Sequence, residues 1–376
     1  MSQELKQAIE QLTALWQGYM PDGYAAFLTA FKAKWQDFAA KRKADPARYA
    51  LAPFKLGAEG IAREPEDPRW LGFCGEDLAA IDDYFGTQKA NKLKTPKDVA
   101  ELLKWINFVR QVNGIAAPVD ADTAAVTTEA ALRACNAADS AEPEPTVPQH
   151  FQGNLFSAPV ITVNINPGLD RQLAAYPEAL RAGARATREG VLAGLRTASG
   201  PFASIVEEKK LTGPLATAKN RDYLSNAKQA QGLLGRTDTP VEDLVADCEL
   251  VAYQTKKAGA LPRGIEDWPS SRAGLAVIAA LIKEGDRLLV LRQYEPVVAK
   301  LGLAADETFL RRSFEGINGG RSLSAENLVS GREKREINAL RRTGDKATIA
   351  SNRAEQTALK GDLGAALDSL NQNRGR

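Results

Sequence analysis

The chain has 376 residues, 44% of them hydrophobic, enough for two or three domains with a substantial core. Its 49 Lys and Arg nearly balance 47 Asp and Glu, so no global charge announces a polyanionic partner, and any DNA-binding face must come from local clustering. The three cysteines, Cys74, Cys135 and Cys248, show no CxxC spacing, which argues against a zinc site or an iron–sulfur cluster.

No apolar run approaches the roughly 18 residues of a membrane span, and the opening MSQELKQAIEQL is amphipathic and charged. A cytoplasmic protein with no membrane partner is therefore expected. Residues 1–140 read as an N-terminal helical domain. Leu5, Ile9, Leu12, Leu15 and Trp16 fall at helical spacing, as do Phe27, Phe31, Trp35 and Phe38, and both stripes are expected in the core. A third helix is predicted over Pro96–Val112, with Thr95 as its cap and Val99, Leu102, Leu103, Ile106 and Val109 on its apolar side. Lys89, Lys92, Lys94 and Lys97 cluster at its start, either as a solvated helix end or as a phosphate-contacting patch. The proline-bearing stretch Ala137–Gln149 places a linker at 141–150.

From 151 to 330 strand and helix signals alternate, predicting an α/β domain: a three-layer α/β/α arrangement around a short parallel sheet. Pro159–Ile165 is an apolar, mostly β-branched run suited to a strand buried on both faces, and Asn166-Pro167-Gly168 turns the chain out of the sheet. In open α/β sheets ligands sit at that carboxyl end. Residues 171–244 form a long excursion with a helical stretch at Pro177–Thr197. A second strand is predicted near Leu244–Tyr253, and then a helix Arg272–Glu284 capped by Ser270 or Ser271 and ended by Gly285. Arg287–Arg292 is a third strand, Tyr294–Leu303 a helix, Thr308–Phe314 a fourth, edge-like strand, and Ser324 the cap of a helix running to Arg342. Residues 331–376 carry ten Lys and Arg against six Asp and Glu and are expected as a basic helical tail.

INPGL (165–169), preceded by its strand and by Phe151-Gln152-Gly153-Asn154, resembles the first catalytic motif of the uracil-DNA glycosylase superfamily, especially its mismatch-specific branch. LVAYQTKK (250–257) is similar to the second strand and its polar exit, and RSLSAENL (321–328) to the loop that wedges into the DNA minor groove. The resemblance covers residues 150–330. It implies an enzyme that everts a nucleotide from duplex DNA and hydrolyses its N-glycosidic bond, and with the cysteine spacing above no metal or cofactor is expected. Asn166 then falls on the water-positioning residue, Asp170 is a candidate general base, and Asn164 heads the motif where the family often has glycine. Pro167 and Gly168, with the backbone N–H groups that follow Pro167, and Tyr253, Gln254, Lys256 and Arg292, fall where the base would be held. Leu323 would fill the vacated stack while Arg321, Ser322 and Ser324 grip DNA phosphates.

Two departures bear on substrate. The only histidine, His150, lies upstream of the sheet, and no asparagine ends the second strand to recognise uracil. The expected base is therefore a bulkier modified pyrimidine, specifically the glucosylated hydroxymethylcytosine of some phage DNA, as in bacterial defence glycosylases resembling this superfamily. Repair of uracil or deaminated bases and a non-catalytic nucleic-acid-binding module are the alternatives. A nucleotide-binding enzyme is disfavoured, since no GxGxxG or GxxxxGK[ST] follows a strand.

Overall fold

The computed structural model describes residues 2–17, 24–45, 54–57, 60–63, 72–87, 95–114, 145, 148, 150–152, 158–167, 226, 228–239, 244–255, 261–292, 307–317, 323–342 and 359–372. Its centre is a six-stranded, mostly parallel sheet in a mixed α/β fold. The strands are β3 (Phe151–Gln152), β4 (Val160–Asn164), β5 (Val245–Glu249), β6 (Leu288–Leu291), β7 (Ser313–Gly316) and β8 (Leu328–Ser330), in the order β3-β5-β4-β6-β7-β8. β5, β4, β6 and β7 run parallel, and β3 and β8 close the two edges antiparallel. A separate hairpin pairs β1 (Phe54–Gly57) with β2 (Gly60–Arg63).

Strand period two splits the residues of β4 between the faces of the sheet. Ile161 and Val163, with Ala246, Cys248, Leu289 and Leu291, join the apolar cluster shared with α5 (Pro269–Glu284), in which Val277, Ile278 and Leu281 are buried. That cluster runs on without a break into α1 (Gln3–Gln17), α3 (Gly75–Thr87) and α4 (Pro96–Val112), through Leu5, Ile9, Leu12, Trp16, Ile81, Leu102, Leu103, Ile106 and Val109. The amino-terminal helices thus share their core with the sheet. α2 (Tyr24–Ala44) adds a satellite of Phe31, Trp35 and Phe38. On the opposite face Val160, Val245, Leu288, Val290 and Phe314 pack with Ala230 and Leu234 of a helical segment at 228–234 and with Leu363 and Leu370 of α8 (Gly361–Gln372).

The helix expected at Pro96–Val112 has those bounds, and Thr95 and Asp98 form a reciprocal capping box at its start. α5 begins earlier than expected. Trp268 is its N-cap and Pro269 its first residue, so Ser270 and Ser271 lie inside the first turn and their hydroxyls bond Asp77 and the Ile265 carbonyl instead of capping. Gly285 ends the helix at φ 65°, a left-handed conformation that favours glycine. The expected strand Thr308–Phe314 is in fact a helix, α6 (Glu307–Arg312), followed by β7, which is interior rather than an edge. Ser324 caps no helix: its carbonyl accepts from Asn327 and Leu328 in a turn leading into β8. Helix α7 (Gly331–Arg342) starts afterwards, with Ser330 and Glu333 bonding each other's backbone N–H groups. The helices expected at Pro177–Thr197 and Tyr294–Leu303 and most of the linker lie outside the described residues.

Candidate functional site at the carboxyl end of the sheet

The chain leaves β4 toward its neighbour β5 on one side, whereas from β6, on the other side of β4, it proceeds to β7 in the opposite direction. β4 and β6 therefore flank the switch point of the sheet, the place at which open α/β sheets hold their ligands. Asn164, Asn166 and Arg292 stand at these exits.

The exits of β4 and β5 are zipped together. Leu250 N–H donates to the Asn164 carbonyl at 3.1 Å, Val251 to Ile165 at 2.8 Å and Thr255 to Pro167 at 3.2 Å. Within this clasp the Asn166 amide nitrogen lies 3.1 Å from the Pro167 carbonyl, 3.1 Å from the Tyr253 carbonyl and 2.8 Å from Thr255 Oγ1. Two of these partners are obligate acceptors, so the NH2 must face them and Oδ1 must face away. The side chain is half-buried and its orientation is fixed.

A second polar group lies on the sheet face itself. The register pairs Thr162 with Asp247 and Asn164 with Glu249, so all four project to one side. Thr162 Oγ1 donates to Asp247 Oδ1, and Asn164 Nδ2 donates to Glu249 Oε1 at 3.2 Å. Glu249 Oε2 is sealed from solvent without a hydrogen-bond partner, as is Arg292 Nε. Burial raises the Glu249 carboxyl well above the ordinary carboxylate range. The neighbouring Asp247 adds to this, while the Asn164 bond and the Arg292 charge oppose it. Asp247, Glu249 and Thr162 were not singled out from the sequence. Their signal was VADCE, where acidic residues alternate with apolar ones in a strand bound to be buried.

The other expected residues separate. The Tyr253 ring is fully buried among Trp16, Phe73, Phe108 and Trp268, so it does not present itself for base stacking; only its carbonyl serves the site. Its hydroxyl donates to Asp77 Oδ2 at 2.6 Å and accepts from the Cys74 N–H. Gln254 is buried, and Pro167 lies buried in the turn. Leu323 is 1% exposed and belongs to the cluster of Val160, Val245, Leu288 and Phe314. Leaving that cluster would forfeit its buried area, so the structure does not present Leu323 as a wedge. Ser324 is half-buried in the turn before β8. Gly168, Asp170, Lys256, Arg321 and Ser322 lie outside the described residues, as do Lys89, Lys92 and Lys94, while Lys97 is exposed on α4.

His150 is buried behind the clasp. Its Nδ1–H donates to the Glu249 carbonyl at 3.3 Å, and burial lowers its pKa to about 4, so the ring is neutral near pH 7. Among the described residues no group of three or more potential metal ligands gathers, and no helix is long and apolar enough to cross a membrane.

Compared with known proteins, the chain matches no family model, no curated protein and no solved structure. Fold and site define a mixed α/β protein with a cluster of polar side chains at the carboxyl ends of its central strands.

Proposed function

We propose that the protein is a DNA glycosylase that everts a modified pyrimidine nucleotide and hydrolyses its N-glycosidic bond, leaving an abasic site. The observation that carries this reading is the immobilised amide of Asn166 at the carboxyl exit of β4, within the INPGL motif. Hydrolysis of such a bond passes through a sugar with oxocarbenium character, and a water must be held at C1′ as the base departs. An amide is no base near neutrality, but an oxygen whose direction is fixed orients water at no entropic cost during reaction. The acting unit is the α/β/α sandwich, with the amino-terminal helices welded to it through shared core. The specific substrate is glucosylated hydroxymethylcytosine in phage DNA, which makes the enzyme an antiviral hydrolase.

The test exposes purified protein to phage DNA carrying that base, to matched unmodified DNA and to a uracil-containing duplex, and scores abasic sites. Abasic sites in the first alone are expected, with turnover but not DNA binding lost in Asn166→Ala. Release from the uracil duplex alone would make it a repair enzyme. No abasic sites in any substrate would end the glycosylase reading.

A further inference from the structure

On the face of the sheet, at the carboxyl ends of β5 and β6, two complementary polar side chains stop short of each other. The Arg292 charge acts on the Glu249 carboxyl, yet among the described residues no hydrogen bond or ion pair joins the two. Each keeps a solvent-sealed atom without a partner, Oε2 on one and Nε on the other. A sealed polar atom left unbonded is destabilising, and a mutual ion pair would have satisfied both atoms, so the arrangement is that of a site awaiting a ligand. The acceptor role at Glu249 is already assigned, because the Asn164 amide donates to Oε1. A proton on this carboxyl therefore sits on Oε2.

We propose that Glu249 and Arg292 together bind a pyrimidine through two neighbouring hydrogen-bond acceptors, the N3 and O2 of a cytosine-type base, and that Glu249 is the general acid for its departure. The inference rests on the glycosylase reading for its reaction and extends it to the base and its leaving group. Oε2–H points a donor at N3, and Nε–H points one at O2. Uracil carries N3–H at the first position, donor against donor, and is rejected. As the C1′–N1 bond breaks, its electron pair passes to the base, where N3 and O2 carry the growing charge. The Oε2 proton transfers to N3, the base leaves neutral, water oxygen bonds C1′, and the proton that water sheds restores the carboxyl. Burial, with Asp247 beside it, keeps the carboxyl protonated beyond the ordinary carboxylate range, against the Asn164 bond and the Arg292 charge.

Glu249→Gln keeps an acceptor for Asn164 and a donor toward N3 but has no proton to give. With a duplex bearing the modified cytosine, its kcat should fall about 100-fold or more with KM little changed, and the alkaline decline of wild-type kcat should disappear. Arg292→Gln should raise KM about 10-fold or more. Thermal-shift titration with free 5-hydroxymethylcytosine and free uracil reads recognition without turnover, and wild type should bind the former at least about 10-fold more tightly. A wild-type preference for uracil, or wild-type kcat in Glu249→Gln, overturns this inference while leaving the glycosylase reading intact. Base binding that depends on Glu249 and Arg292 with no turnover of any duplex supports the recognition pair and sinks the glycosylase reading instead. Should Glu249→Gln fail to fold, Asn164→Ala frees Oε1 and should weaken base discrimination; unchanged discrimination overturns the proposal.

Discussion

The hydroxyl of Tyr253 donates to Oδ2 of Asp77 at 2.6 Å and so ties the exit of β5 to the start of α3. The same carboxylate accepts from the N–H and hydroxyl of Ser270 at the start of α5. The Tyr253 carbonyl in turn holds Asn166, so one residue connects the buried lock to the candidate site. Tyr253→Phe keeps the ring packing but leaves the Cys74 N–H without its acceptor and Asp77 short of one donor. A loss of about 1–3 kcal/mol in urea unfolding is expected. An unchanged midpoint would mean that the lock contributes nothing.

Asn166→Asp tests the clasp through pH. It replaces a donor facing two carbonyl oxygens with a carboxylate, which repels both. The introduced carboxyl is bonded only when protonated, so its folded-state pKa is raised and the fold binds more protons than the unfolded chain. Stability relative to wild type should be nearly retained near pH 4 and fall by on the order of 2 kcal/mol by pH 7, measured by urea unfolding. A gap independent of pH would show that the amide nitrogen does not face those carbonyls.

Much of the fold was legible because burial imposes period and punctuation. Thr95 and Pro96 fixed the start of α4, Gly285 the end of α5, and β4 read as a doubly buried strand. The errors came where one signal served two structures. Thr308–Phe314 alternates like a strand, but its first five residues complete a short helix before β7. Ser324-Ala-Glu resembles a helix start, while the capping pair is Ser330 and Glu333 six residues on. Leu323 reads as the tip of a DNA-contacting loop and Tyr253 as a strand-end group facing the base, whereas their apolar bulk puts both inside. The polar face of β5 went unread, since only the paired register shows Asp247 and Glu249 on the same side as Thr162 and Asn164.

His150 gives a second pH dependence of opposite sign. Burial lowers its pKa from 6.5 to about 4, so between these values the unfolded chain binds more protons than the fold. Its contribution is fully present above pH 6.5 and is lost as pH falls toward 4. His150→Gln removes this titration. The stability difference between wild type and variant should therefore narrow by on the order of 2 kcal/mol between pH 7.5 and pH 5. Parallel profiles would place the imidazole in contact with water.

The same ring explains a glycine inside α5. A Cβ on Gly274 would stand 2.9 Å from His150 Nδ1 and 3.0 Å from Cε1, closer than packed atoms tolerate. Helix propensity alone favours alanine there by about 1 kcal/mol. The fully buried ring, held edge-on to Trp16 with centroids 5.5 Å apart, has no room to withdraw, and overpacking costs about 1–3 kcal/mol. Gly274→Ala should therefore destabilise the wild type despite its propensity gain. In the His150→Ala background the clash is gone, and the same substitution should be neutral or stabilising. A double-mutant cycle by thermal unfolding measures the coupling, and additive effects would show that the ring is not what excludes the side chain.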